Sequence, residues 1–318
     1  MPELCRTREH VRVRPDDPSL GPTSITIACA NFEAVPRDKH ATLAKMLDVV
    51  ATAATRDCDL VIFPELALNT WGHCEGCASG HRPCAWHVDE AEPADGPSCR
   101  TVTDAAATHG IHIVHGFEEL DPDDAAVIYN SANVVAPDGL VGTYRKLHLG
   151  IPLETDRFSP GDALPVFDTA LGPIGISICY DFYNNPELCR VLALKGARLL
   201  VNPTGRSDLP RARENLEQCT LVRAQENLVY AASANRIGAS HGPPVWAGGS
   251  VIGGPQFPGF PTVLAQAGTD EELVTAELDF TELAKWYDLL PWREWRFGPQ
   301  QPITRLVAEE LAKLGEPQ

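Results

Sequence analysis

Three residues in this chain are of types that carry covalent chemistry and stand where chains often put it: Cys179, Glu65 and Lys146. Cys179 closes the apolar run IGISIC and is followed within a few residues by a helix start at Asn185-Pro186. Strand-to-helix junctions of open α/β sheets gather ligands and nucleophiles. The backbone N–H of Tyr180 would face a developing oxyanion there. A free thiol with a pKa of ~8.5 is mostly protonated at neutral pH, so a nucleophilic cysteine needs a base or a cation beside it. Glu65 ends the run DLVIFPE, and Lys146 sits in GTYRKLHLG. A charge at the end of a buried strand is costly to desolvate, so it needs a partner or a task. Each residue alone also has an ordinary reading: cysteine as a small buried hydrophobe, the two charges as strand ends reaching water.

The surrounding pattern predicts the elements that position these residues. Residues 24–31 (SITIACAN) read as a first strand, and Leu43, Met46, Leu47 and Val50 form one helical stripe after it. Residues 59–63 (DLVIF) form a short continuous apolar run, as in a strand buried on both faces, and it stops at Pro64. Runs 111–117 and 127–135 alternate as strands, and 140–149 is extended after the turn Pro137-Asp138-Gly139. Past Cys179, Asn185 is the expected N-cap with Pro186 in the first turn, and Gly196 is the stop. Residues 198–205 repeat the strand-to-loop pattern. A helix over 211–227 and strands at 228–235, 249–253, 261–265 and 272–278 complete the body. The mixture implies a layered α/β fold with a mixed sheet. No internal repeat or linker interrupts it, so one domain is expected over 23–280, between a flexible leader (1–22) and a C-terminal extension (281–318).

Composition narrows the function classes. The 318 residues are 44% hydrophobic and 22% charged, ordinary for a globular chain. The formal net charge of −17 argues against nucleic acid as a partner, since that requires a basic surface. No apolar run approaches the ~20 residues that span a bilayer, which argues against a membrane partner. The leader carries Arg6, Arg8, Arg12 and Arg14 without an apolar core, unlike a secretory signal. Ten cysteines spread over a long chain then imply reduced thiols and a cytoplasmic location.

Three segments, FPELAL around Glu65, YRKLHL around Lys146 and ISICYDF around Cys179, resemble the three signature segments of the nitrilase superfamily of carbon–nitrogen hydrolases, in the family's order. The likeness continues through FSPGD, ELCRVLALKGARLLVNP, RAQEN, SANRIG and GGS, over about 24–280. The resemblance implies a nitrilase-like α–β–β–α sandwich, a four-layer arrangement completed by dimerisation, in a homodimer or higher homo-oligomer. It assigns Cys179 as nucleophile, Glu65 as general base and Lys146 as the cation that stabilises the tetrahedral intermediate. Glu154 matches the family's second glutamate. Tyr180, Asp181 and Asn202 are expected at the oxyanion and substrate, with no cofactor and no metal. The implied reaction hydrolyses an amide or N-carbamoyl bond of a small molecule with water, through a cysteine thioester, releasing ammonia.

Tyr180-Asp181 after the nucleophile looks more like the amidase and carbamoyl-hydrolase branches than the Trp-Glu of true nitrilases. The ω-amide branch typically reads Cys-Tyr-Asp-x-Arg-Phe-Pro-Glu. This stretch is one residue longer and lacks the arginine, a role open to Arg206, Arg211 or Arg213. Residues 71–87 (WGHCEGCASGHRPCAWH) hold Cys74, Cys77, Cys84, His73, His81 and His87, types that bind zinc. With one CxxC only, a pocket wall or an ordinary loop is the preferred reading. His109, His112 and His115 read as structural, and His148 as a neighbour of the site. The stretch 303–315 is amphipathic and reads as a docking helix, preceded by Trp286, Tyr287, Trp292, Trp295 and Phe297. Competing readings are a nitrilase, an amide acyltransferase and, from another class, a non-catalytic scaffold or zinc-binding protein.

Overall fold

The computed structural model describes residues 14–69, 84–239, 245–290 and 301–315. The first sheet runs β14 (Glu272–Asp279), β1 (Ser24–Asn31), β2 (Leu60–Ile62), β3 (His112–Leu120), β4 (Ile128–Ala136), β5 (Gly139–Arg145). The second runs β6 (Val166–Thr169), β7 (Gly172–Ile176), β8 (Leu199–Thr204), β9 (Tyr230–Asn235), β12 (Val251–Gly254), β13 (Thr262–Gln266). A small pair, β10 (Ile237–Gly238) and β11 (Trp246–Ala247), stands apart. Both sheets share one pattern of orientations: a parallel trio (β1-β2-β3 or β7-β8-β9) with antiparallel strands on either side.

Period-two alternation builds the layers. Ile25, Ile27, Cys29, Leu60 and Ile62 face inward and share a core with Ile174, Ile176, Leu199 and Val201 of the second sheet. Ala28, Ala30, Val61 and Phe63 face outward onto Met46 and Val50 of α1 (Lys39–Thr55) and Val102 and Ala106 of α3 (Pro97–His109). On the far side, α6 (Pro186–Leu194) and α7 (Ala212–Asn227) cover the second sheet through Leu192, Leu216 and Ala224. The α–β–β–α sandwich is therefore present, with one correction. A single chain supplies all four layers around one shared core, so dimerisation is not what completes them.

Most expected strands appear within one or two residues of their bounds. The helix α3 was not foreseen, because its stripe of Cys99, Val102 and Ala106 is thin; its signals are Pro97 in the first turn and a left-handed Gly110 at its end. Short helices α2 (Ala85–Glu90), α4 (Pro152–Thr155) and α5 (Tyr180–Asn184) also went unread. Asn185 stands at the N-cap position of α6, but its side chain donates to the Tyr180 carbonyl instead of capping.

Residues 14–22 belong to the expected flexible leader, yet they are tied to the body. Arg198 Nη1 donates to the Pro15 carbonyl at 3.0 Å and Nη2 to that of Pro22 at 2.9 Å. In the extension, α8 (Phe280–Leu289) buries Phe280, Leu283 and Ala284. The amphipathic helix appears as α9 (Gln301–Gly315), with the side chains of 305–313 all exposed. Trp286 donates to the Gln256 carbonyl, while Trp292, Trp295 and Phe297 lie outside the described residues. So do His73, Cys74, Cys77 and His81.

Candidate active site

The two sheets divide the candidate catalytic residues between them. Glu65 leaves β2 and Lys146 leaves β5, both in the first sheet; Cys179 follows β7 in the second. The chain bends sharply at Glu65, with Leu66 at φ 48°. This bend lies against Gly116 of β3, where a Cβ would come within 2.4 Å of the Leu66 nitrogen, so glycine is required. Cys179 itself has φ 50° and ψ −102°, a left-handed backbone that a non-glycine residue holds only when its surroundings impose it. They do: its N–H donates to Asn202 Oδ1 at 2.9 Å and to the Pro203 carbonyl at 3.1 Å.

Lys146 Nζ donates to Glu65 Oε1 at 2.8 Å and to Glu154 Oε1. All three side chains are at most 2% exposed. The remaining acceptors are filled. Asn130 Nδ2 donates to Glu65 Oε1 at 2.8 Å and reaches Glu154 Oε1 at 3.5 Å. Glu65 Oε2 accepts from the Gly205 N–H at 3.0 Å, and Glu154 Oε2 from the Gly150 N–H at 2.8 Å. Burial alone would pull the lysine's pKa down. The charges of Glu65 and Glu154, with the hydrogen bond to Glu154, outweigh it and hold the ammonium above its ordinary value. Glu154 is raised by burial, against the pull of Lys146. Burial pushes the Cys179 thiol up to about 12; the charge of Glu65 adds to this, and that of Lys146 opposes it. The resting thiol is therefore protonated at neutral pH and needs a base to become a nucleophile.

A cavity of about 300 Å³ opens onto Glu65, Lys146, Glu154 and Cys179. Its other walls are Tyr180, Ile151, Leu209, Trp246, Gly205, Ser207 and Arg206, so of the three arginines considered only Arg206 reaches it. The Arg206 guanidinium stacks 4.6 Å from the Tyr183 ring and donates to Asn215 Oδ1.

The expected oxyanion and substrate residues separate. Tyr180 lines the cavity and opens α5, where the first N–H groups have no intrahelical acceptor. Asn202 does not line it: its amide accepts from the Cys179 N–H and donates to Ser233 Oγ. Asp181 does not line it either. It is fully buried and accepts from Tyr144 Oη, Leu147 N and His148 N, on both sides of Lys146. His148 stacks on Tyr180 at 5.5 Å. His87 pairs with Glu118 at 3.0 Å in the interior, and among the described residues no His, Cys, Asp or Glu cluster converges to hold a metal.

Sequence reasoning missed Asn130, Trp246 and Arg236. Arg236 Nη1 donates to the Glu65 carbonyl at 2.9 Å and that of Leu66 at 2.6 Å. Its signal was available, since it is a charge directly after the strand YAASAN, the criterion that singled out Glu65. Asn130 was visible only as a polar residue inside a strand pattern.

A model of the carbon–nitrogen hydrolase family matches residues 26–288. The chain is 35% identical over 265 residues to an (R)-stereoselective amidase of a Pseudomonas sp, covering 81% of this chain and 88% of that protein. It is 30% identical to an omega-amidase of Xenopus laevis, with 81% and 90% covered. A nitrilase-superfamily member of Saccharomyces cerevisiae superposes with a TM-score of 0.74 at 25% identity, over 86% of this chain and 96% of that one. An amidase mutant of Nesterenkonia sp. AN1 with acrylamide added at its active-site cysteine gives 0.67 at 25% identity, over 85% and 99%. With the family model spanning nearly the whole described body, the chain belongs to the carbon–nitrogen hydrolase family.

Proposed function

We propose that this protein is an amidase-like enzyme that hydrolyses an amide or N-carbamoyl bond of a small molecule through a Cys179 thioester. The observation that carries this is a buried lysine held between two carboxylates, opening onto the same cavity as a cysteine in a constrained turn. Cys179 Sγ attacks the carbonyl carbon as Glu65 takes the thiol proton. The charge that builds on the carbonyl oxygen is opposed by Lys146 and the Tyr180 N–H. The C–N bond breaks, Glu65 returns its proton to the nitrogen, and ammonia leaves. Water then attacks the thioester and gives its proton to Glu65 or Glu154. The acid departs, and the thiol is restored. No step in this sequence calls for a metal or cofactor. The thiol nucleophile and the seven described cysteines, all free, suit a reducing, cytoplasmic compartment. No helix among the described residues is long and apolar enough to cross a membrane.

The test is ammonia release from aliphatic, aromatic, ω-amide and N-carbamoyl compounds, with Cys179→Ala as control. Cysteine-dependent release from one class is expected and would name the substrate. Preference for carboxylate-bearing amides would assign Arg206 to the anion. Release from nitriles alone, or equal release by Cys179→Ala, would sink the proposal.

A further inference from the structure

The catalytic residues come from two sheets whose shared interface is apolar. Apolar burial is non-directional and sets no fine register between the sheets. Yet a misplacement of about 1 Å in such a site can cost about 100-fold in rate. Something directional must hold Glu65 and Lys146 in place relative to Cys179.

Beside the bond from the Gly205 N–H to Glu65 Oε2, two buried charged side chains that follow second-sheet strands reach across to the first sheet. Asp181 lies two residues past Cys179, and its carboxylate crosses to the first sheet. Oδ2 accepts from Tyr144 Oη at 2.6 Å and Leu147 N at 3.0 Å, and Oδ1 from His148 N at 2.7 Å. These three donors bracket Lys146. Arg236 follows β9, and its guanidinium crosses to the exit of β2. Nη1 donates to the Glu65 and Leu66 carbonyls, with the Asn69 carbonyl at 3.5 Å. Its other face stands 5.9 Å from Trp246, a wall of the cavity. Both side chains are at most 1% exposed, and neither lines the cavity.

We infer that Asp181 and Arg236 are positioning residues, each fixing one first-sheet catalytic residue against the second-sheet nucleophile: Asp181 sets Lys146, and Arg236 sets Glu65. They act through backbone and neighbouring groups, not on substrate. The inference rests on the proposed function of the Cys179 site.

The experiment compares wild type, Asp181→Asn, Tyr144→Phe and Arg236→Lys in steady-state kinetics and thermal unfolding. Asp181→Asn is isosteric, but its amide cannot accept from both backbone N–H groups. Arg236→Lys keeps the charge and loses the fork. Asp181→Asn should lower kcat by about 10- to 100-fold, and Arg236→Lys by about tenfold. Tyr144→Phe should show a smaller fall, and KM should stay within about twofold in all three. A folded variant that keeps kcat within about twofold overturns the assignment of its residue. So does a raised KM at unchanged kcat, which marks substrate contact. Should Asp181→Asn fail to fold, Tyr144→Phe decides for Asp181: a fall of about threefold or more in kcat supports its role, and none overturns it. Should Arg236→Lys fail to fold, Arg236→Gln, whose amide can still donate to one of the two carbonyls, decides for Arg236 by the same thresholds. Wild-type protein without Cys179-dependent turnover removes the functional proposal and this inference together. Intact wild-type turnover with unaffected variants removes only the inference.

Discussion

Lys146 is the residue on which the site's charge balance turns. It joins both carboxylates in one buried cluster, and the Cys179 thiol stays protonated beside it. Lys146→Met removes the cation and leaves Glu65 and Glu154 facing one another in the interior. Breaking a buried pair in this way costs about 3–5 kcal/mol. Burial and the charge of Glu65 then raise Glu154 further above its unfolded value, since Lys146 no longer opposes them. The folded variant consequently binds more protons than its unfolded chain around and above pH 4 to 5, so its stability rises as pH falls through that region. Denaturant unfolding should show Lys146→Met least stable relative to wild type at neutral pH, with part of the loss recovered near pH 5, and no turnover at any pH. A stability deficit independent of pH would mean that the carboxylates are not the groups left unpaired. Sequence inspection found this trio because each member is a costly residue at a strand exit. It could not find Asn130, whose donation to both carboxylates depends on the pairing of β4 with β5.

At the scale of elements, the strands were legible and their fastenings were not. Short apolar runs bounded by Pro and Gly mark β2, β7 and β8 plainly, whereas α3 hides behind a stripe of small residues. The leader shows the same limit. Nothing local in residues 14–22 predicts order; it comes from Arg198, nearly 180 positions away, at the start of β8. This guanidinium is buried, sits 3.7 Å from the Phe280 ring, and is pulled down to about 10 by burial. Its described acceptors are the carbonyls of Pro15, Pro22 and Leu171. Arg198→Met should free the leader and leave these carbonyls unsatisfied, at about 1–3 kcal/mol. Limited proteolysis should then cut near residues 14–22, with kcat unchanged, because the site lies at the opposite end of the roughly 20 Å strand β8. Unaltered protease resistance would show that other contacts hold the segment.

For the whole molecule, the described residues of one chain supply all four layers and both the Glu–Lys–Glu and the cysteine sides of the cavity. What one chain leaves open is apolar surface. Leu306, Val307 and Leu311 of α9 are each more than half exposed, and Val191 of α6 and Val222 of α7 are 41% and 47% exposed on the outer helical layer. An isolated helix of 15 residues is only marginally stable in water, and its apolar stripe gains stability only against a surface. A second copy that covers α6, α7 or α9 would provide one. Light scattering on the eluting peak should therefore give at least twice the chain mass of 34.5 kDa. Truncation after Leu290 should weaken the assembly while Cys179-dependent turnover survives in the remaining body. A single-chain mass at every concentration would refute the assembly and leave α9 as a solvated appendage. Unchanged assembly after truncation would move the interface to α6 and α7.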